Sequence, residues 1–178
     1  MLMEELQPQE QAKQQYKIYV DMDGVLADFV DGVNRLLDVD YSDEEYQSSP
    51  EYRSMMWKAV GKYSKEGGQL WAELHPMKDA KQLWDYVEKY NPEILTAGGN
   101  PEFGAEAQKR QWVPWMIGSG IKVNVTRKSA EKAQFATPDS ILIDDQPKSI
   151  DPWVAAGGIG ILHTSAANTI KELQKLGL

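Results

Sequence analysis

Hydrophobic and polar positions along the chain follow two periods that take turns. Short β-rich runs at 16–20 (YKIYV), 92–96 (PEILT), 121–126 (IKVNVT), 140–143 (SILI) and 159–162 (IGIL) predict strands. Between them, apolar residues three and four apart predict helices. Phe29–Leu37 carries them at 29, 30, 33, 36 and 37, and Lys78–Tyr90 at Ala80, Leu83, Trp84 and Val87. Further helices are predicted over Pro101–Ile117, bent or ended by Pro114, over Ser129–Ala136, capped by Ser129, over Ile150–Ala156, with Pro152 in its first turn, and over Ala166–Leu176. This alternation predicts an α/β fold of three layers, an open Rossmann-like parallel sheet with helices on both faces. In such sheets ligands bind beyond the carboxyl ends of the strands, so the residues that follow each strand are the candidates for chemistry.

The stretch 39–68 breaks the alternation, being helical, aromatic and Met-rich with no strand pattern. Ser42 followed by Glu45 predicts a capping box. Pro50-Glu51 starts a second helix, with Tyr52, Met55, Met56, Ala59 and Val60 on one side, and Gly67-Gly68 ends it. The reading is a small helical cap, approximately 32–75, inserted after the first strand and sitting over its end. Residues 1–15 are acidic and Gln-rich, without signal or transit character, and read as a flexible lead-in to an α/β domain over 16–178.

Composition narrows the partners. A length of 178 residues suits one domain, and a net charge of −8 argues against a general nucleic-acid partner. It leaves room for a small phosphorylated substrate, because a local cation and a metal can overcome the global field. The absence of Cys excludes disulfides, a thiolate metal site and a Cys nucleophile, and His75 and His163 are too few for a His-built metal site. No apolar run approaches the ~20 residues of a membrane span. The expectation is a cytoplasmic protein with no membrane partner.

Candidate chemistry gathers at the strand ends. The first strand runs into Asp21-Met22-Asp23-Gly24. Gly24 allows a sharp turn that can bring the second carboxylate back over the first. Close carboxylates repel unless a cation or a shared proton intervenes, so the segment predicts a metal site, an acid/base pair or both; a polar strand end with a turn is the plain alternative. The fourth strand ends in Asp144-Asp145 and the second in Thr96-Ala97-Gly98-Gly99. Oxygen-only ligands suit a hard cation, and Mg²⁺ is the natural choice. A Lys from 128 or 132, the Thr96 hydroxyl and backbone N–H groups near Gly98 are then positioned to hold a phosphate. A metal with a carboxylate nucleophile is a workable phosphoryl-transfer site.

These segments resemble a known family. DMDGVLAD at 21–28, ILTA at 94–97, a Lys on a helix before the fourth strand, and ILIDD at 141–145 are similar, in order over about 16–165, to the four motifs of the haloacid dehalogenase-like phosphatases. DMDGVLADF and WAELHPMKDAKQLW at 71–84 resemble the 5′(3′)-deoxyribonucleotidase branch. The resemblance implies Asp21 as nucleophile and Asp23 as general acid, then base, a role that needs a carboxyl protonated near neutral pH. It implies Mg²⁺ on Asp21, the backbone carbonyl of Asp23, and Asp144, with Asp145 in support. Thr96 and Lys132, with Lys128 as the alternative, would contact the phosphate. Ala97 stands where many deoxyribonucleotidases place Ser, and the following GGNPEFG loop would supply backbone N–H groups instead. Phe29 resembles an aromatic that contacts base or sugar, with a core residue as its plain reading; Trp57 and Trp71 can stack on a base. Trp84, Trp112 and Trp153 read as core; Lys109 and Arg110, on the helix after the second motif, read as a solvated helix face, with a reach to a phosphate as the alternative.

The implied activity is a Mg²⁺-dependent phosphomonoester hydrolase, a 5′-(deoxy)ribonucleotidase acting through an aspartyl-phosphate. The alternatives are a phosphatase for a nucleic-acid 3′ end or another metabolite, and a non-catalytic protein that binds metal and phosphate on the same fold.

Overall fold

The structure, a computed structural model, describes residues 15–178, so the expected lead-in lies outside it but for residue 15. The predicted runs form β1 (Lys17–Val20), β2 (Glu93–Ala97), β3 (Val123–Thr126), β4 (Ser140–Asp144) and β5 (Ile159–Leu162). They make one parallel sheet in the order β3-β2-β1-β4-β5, with Val20 level with Ile94 on one side and Ile143 on the other. Alternation along the strands splits the core in two. Ile18, Val20, Ile94, Ile141 and Ile143 face the larger cluster, while Leu95 and Leu142, with Tyr19, face the smaller one.

Helices cover both faces. The larger cluster takes α1 (Phe29–Leu37), α3 (Pro50–Lys65), α4 (Ala80–Val87), α5 (Ala105–Met116) and α7 (Ala166–Lys175) through Val33, Tyr52, Leu83, Trp112 and Leu173. The smaller takes α6 (Pro147–Ala155), whose Trp153 ring meets Tyr19 edge-on at 5.6 Å between centroids. The described residues thus form an α/β three-layer fold.

Several boundaries moved for physical reasons. Helix α6 begins at Pro147, because proline at the first helical position lacks only an N–H that would be unpaired anyway; Pro152 therefore lies inside the helix, not in its first turn. Segment 129–135 is a 3₁₀ helix, and its N-terminal N–H groups at Arg127 and Lys128 donate to the Glu131 carboxylate (3.0 and 3.1 Å) rather than to Ser129. The helix expected over 78–90 tightens into a 3₁₀ turn at Glu88–Tyr90, which Asn91 closes in a left-handed conformation. On α3 the buried stripe is Tyr52, Met56 and Val60, and Met55 is exposed.

Between β1 and β2 lie α1, then α2 (Asp43–Ser48), α3 and a 3₁₀ turn at Leu70–Glu73. The Ser42–Glu45 capping box is formed in both directions (3.2 and 2.7 Å). The chain then returns beside the β1 loop, where Met77 donates to the Leu26 carbonyl and Asp28 to that of His75 (both 2.8 Å). Trp112, fully buried on α5, donates its Nε1–H to the Leu74 carbonyl at 2.8 Å, fixing that return segment to the main body. Among the described residues no helix is long and apolar enough to cross a membrane.

Candidate active site

The loop after β1 folds on itself. The Met22 carbonyl accepts from the N–H groups of Val25, Leu26 and Ala27 (3.2, 2.9 and 2.9 Å), and Gly24 donates to the Ala27 carbonyl at 2.9 Å. Gly24 sits at φ +82°, and a Cβ there would lie 2.3 Å from Asp145 Oδ2. Glycine is required both by the backbone and by the close approach of Asp145.

Two buried lysines organise the carboxylates. Lys132 donates to Asp21 Oδ1 at 2.8 Å and to Asp144 Oδ2 at 2.6 Å. It is Lys132, and not the exposed Lys128, that reaches the end of β1. Burial pulls the Lys132 ammonium down, and the charges of Asp21 and Asp144 more than reverse this, so it stays protonated. Burial pushes Asp144 up to about 6, with Asp21 adding to the effect and Lys132 opposing it. Asp145 is pushed up to about 8 by burial, then by the charges of Asp21 and Asp144.

The second lysine is Lys109, which the sequence reading placed on a solvated face. It is buried, and its Nζ donates to Thr96 Oγ1 (3.0 Å) and the Ala97 carbonyl (2.6 Å) and is ion-paired with Asp23 Oδ2 (2.9 Å). Trp71 Nε1 donates to the same Asp23 oxygen at 3.2 Å. Its neighbour Arg110 does lie on the exposed face, paired with Glu106 at 2.9 Å. A signal for Lys109 was present: Ala105, Gln108, Lys109, Trp112 and Val113 occupy i, i+3, i+4, i+7 and i+8 of α5, the spacing of a buried stripe.

Asp21, Asp144 and Asp145 each offer an oxygen within 4.8 Å of the others. Asp145 Oδ1 is buried without a partner, and three carboxylates face the single ammonium of Lys132. An all-oxygen, under-neutralised set of this kind fits a hard divalent cation. The Asp23 carboxylate is engaged by Lys109 and stands outside this set, which leaves its backbone carbonyl as the group the resemblance assigned to the metal.

The raised carboxyls make a prediction. Asp144 and Asp145 have folded values above their ordinary 3.8, so the metal-free folded state holds more protons than the unfolded chain. Their contribution to stability is complete below about pH 4 and is lost as pH rises through about 6 and about 8. The melting temperature of metal-free protein should therefore fall across that range, and Mg²⁺ should raise it more at the alkaline end than at the acid end. Thermal melts with and without Mg²⁺ check this; a Mg²⁺ effect independent of pH would contradict it.

These groups open into a cleft of about 1000 Å³. Its wall carries a closed circuit of four rings. Phe29–Trp57, Trp57–Phe103, Phe103–Trp71 and Trp71–Phe29 have centroids 6.0, 6.1, 6.5 and 6.1 Å apart, with interplanar angles of 15–37°. Phe29 is both buried and cleft-lining, so its two readings coincide. Phe103 was missed because it closes a separate 3₁₀ turn, Pro101–Phe103, where a single continuous helix over Pro101–Ile117 was expected. Tyr46 on α2 lines the same cleft; burial, then the charges of Asp23 and Asp145, push its phenol up to about 12, so it remains a donor.

Thr96, Ala97 and Gly98 line the cleft, but the N–H groups of Gly98 and Gly99 donate to the Thr126 and Arg127 carbonyls (2.7 and 3.1 Å). The glycine-rich loop thus extends the pairing with β3, and those N–H groups are not free for a phosphate. His75 is an exposed partner of Asp31 (3.1 Å), and His163 is buried against Thr169 (2.7 Å).

No protein-family model matches the sequence, and no curated protein matches it. Solved structures share its fold. A haloacid dehalogenase-like hydrolase from Xanthomonas campestris superposes with a TM-score of 0.58 at 10% identity over 94% of each chain. A haloacid dehalogenase-like hydrolase from Streptococcus pneumoniae gives 0.56 at 12% identity over 90% of this chain and 91% of the other. A predicted phosphatase from Clostridium acetobutylicum gives 0.53 at 14% identity over 91% of each. The chain therefore has the haloacid dehalogenase-like α/β fold, and what it does must be read from the site.

Proposed function

We propose that the protein is a Mg²⁺-dependent phosphomonoesterase that hydrolyses a nucleoside monophosphate through an aspartyl-phosphate on Asp21. The observation that carries this reading is the separation of the two carboxylates of the β1 loop onto two different lysines. Lys132 holds Asp21 within the acidic cluster, and Lys109 holds Asp23 beside the aromatic wall. Two chemically distinct carboxylates at one phosphate is what nucleophile and acid/base roles need.

In this mechanism an Asp21 oxygen attacks phosphorus while the bond to the nucleoside oxygen breaks, and Asp23 gives its proton to that leaving oxygen. A water then attacks the aspartyl-phosphate and gives its proton to Asp23. The Asp21–phosphorus linkage breaks, releasing inorganic phosphate and restoring both carboxyls. Lys132 holds the attacking carboxylate in one orientation. The Thr96 hydroxyl accepts from Lys109, so its own hydrogen is free to donate to a phosphate oxygen. Asp21, Asp144 and Asp145 would hold Mg²⁺, which would offset the negative charge of the phosphate.

The four-ring wall supports a substrate with a planar base, since aromatic faces stack on every nucleobase. Base stacking is worth about 1–3 kcal/mol, or roughly a five- to hundredfold preference. Phosphate release from nucleoside monophosphates and from sugar phosphates, with Mg²⁺ and with a chelator, tests the reading. The expected result is Mg²⁺-dependent release that favours the nucleotides by that factor. Release from no member of the panel by folded, Mg²⁺-supplied protein would overturn the phosphatase reading, and equal rates on both classes would overturn the nucleotide preference.

A further inference from the structure

We propose that Lys109 is a positioning residue for proton transfer, holding the Asp23 carboxyl together with Trp71 in the orientation from which it serves as general acid and base. This rests on the phosphomonoesterase reading above and deepens it. Asp23 Oδ2 is ion-paired with Lys109 Nζ at 2.9 Å and accepts from Trp71 Nε1 at 3.2 Å. Asp23 Oδ1 is shielded from solvent and has no partner. The Asp23 carboxyl is held in one orientation by these two contacts.

The anchor is braced from behind. Lys109 Nζ donates to Thr96 Oγ1 and the Ala97 carbonyl and is ion-paired with Asp23 Oδ2. Lys109, almost wholly buried, acts through Asp23 and Thr96. Gln108, its neighbour on α5, accepts from the Trp71 backbone N–H at 2.9 Å and donates to the Phe103 carbonyl at 3.1 Å. The two donors to Asp23 thus converge because one helix fixes both. When Asp23 gives up its proton, the charge left on the carboxylate meets an ammonium already in contact, with no rearrangement needed.

A merely structural lysine would affect all substrates alike, whereas an anchor for the general acid matters only where the leaving group needs a proton. The test compares kcat/KM for phenyl phosphate with that for 2,4-dinitrophenyl phosphate, whose phenolate leaves unprotonated, using the full chain with Mg²⁺. Lys109→Met should lose about 100-fold or more on phenyl phosphate and less than about tenfold on the dinitrophenyl ester, the size expected for general-acid catalysis. Trp71→Phe keeps the ring and removes one donor, so it should show the same selectivity at a few-fold. If Lys109→Met does not fold, Trp71→Phe decides by the same comparison. Equal losses on the two esters, or no loss on either, would overturn the proposal. Failure of the wild type to release phosphate from either ester would instead overturn the reading it rests on, and the proposal with it.

Discussion

Asp21→Asn should lower phosphate release by about 10⁴-fold or more while leaving the fold intact, because a carboxamide cannot form the acyl-phosphate on which the proposed reaction depends. The surroundings explain why stability should not suffer. Asp21 is buried in a cluster where its charge raises both Asp144 and Asp145. Lys132 keeps Asp144 at 2.6 Å when the Asp21 charge is removed, so no ammonium is stranded. The amide is nearly isosteric with the carboxylate. The melting temperature of the metal-free variant should therefore match or exceed that of the wild type, while single-turnover phosphate release collapses. A residual rate within tenfold of wild type would remove Asp21 from the nucleophile's role.

Lys132→Met should act in the opposite way on stability. It leaves Asp21 and Asp144 buried together without the ammonium that bridges them at 2.8 and 2.6 Å. Removing one partner of a buried ion pair costs roughly 3–5 kcal/mol, since the remaining charge loses both water and its counter-ion. Metal-free protein should show this in denaturant unfolding, and Mg²⁺ should restore part of it. Activity should fall by about 10²–10³-fold, the scale of losing a charge aimed at the reacting group. Lys132→Met combined with Asp21→Asn should be more stable than Lys132→Met alone, because the like-charge pair is gone. Lys128→Met, at an exposed lysine, should stay within about 0.5 kcal/mol of wild type. If the two lysine variants behaved alike, the assignment of Lys132 would fail.

Much of this site could be read from contiguous sequence. The β1 and β4 carboxylates are legible because each motif is a strand end with its functional residues adjacent, and the parallel topology gathers such ends without further information. Lys109 was not legible in the same way. A lysine on a helix is read as polar, and what buries it is a carboxylate supplied by the distant β1 loop. The glycines after β2 mislead for a related reason. Sequence shows that the chain can bend there, but not that the carbonyls of Thr126 and Arg127 claim the Gly98 and Gly99 N–H groups. The aromatic circuit draws Phe29, Trp57, Trp71 and Phe103 from four separate segments, and only tertiary packing closes it. The start of α6 at Pro147 was within reach, since proline favours the first helical position.

The central claim is a covalent phosphate on Asp21, and trapping it is the direct test. Protein turning over a nucleoside monophosphate with Mg²⁺ is quenched in acid, reduced with borohydride and digested for peptide mass analysis. An acyl-phosphate is reduced to the alcohol, so the prediction is homoserine at residue 21, present only when substrate was supplied and absent from Asp21→Asn. Sustained phosphate release with residue 21 unmodified, or with the modification on another carboxylate, would contradict the account.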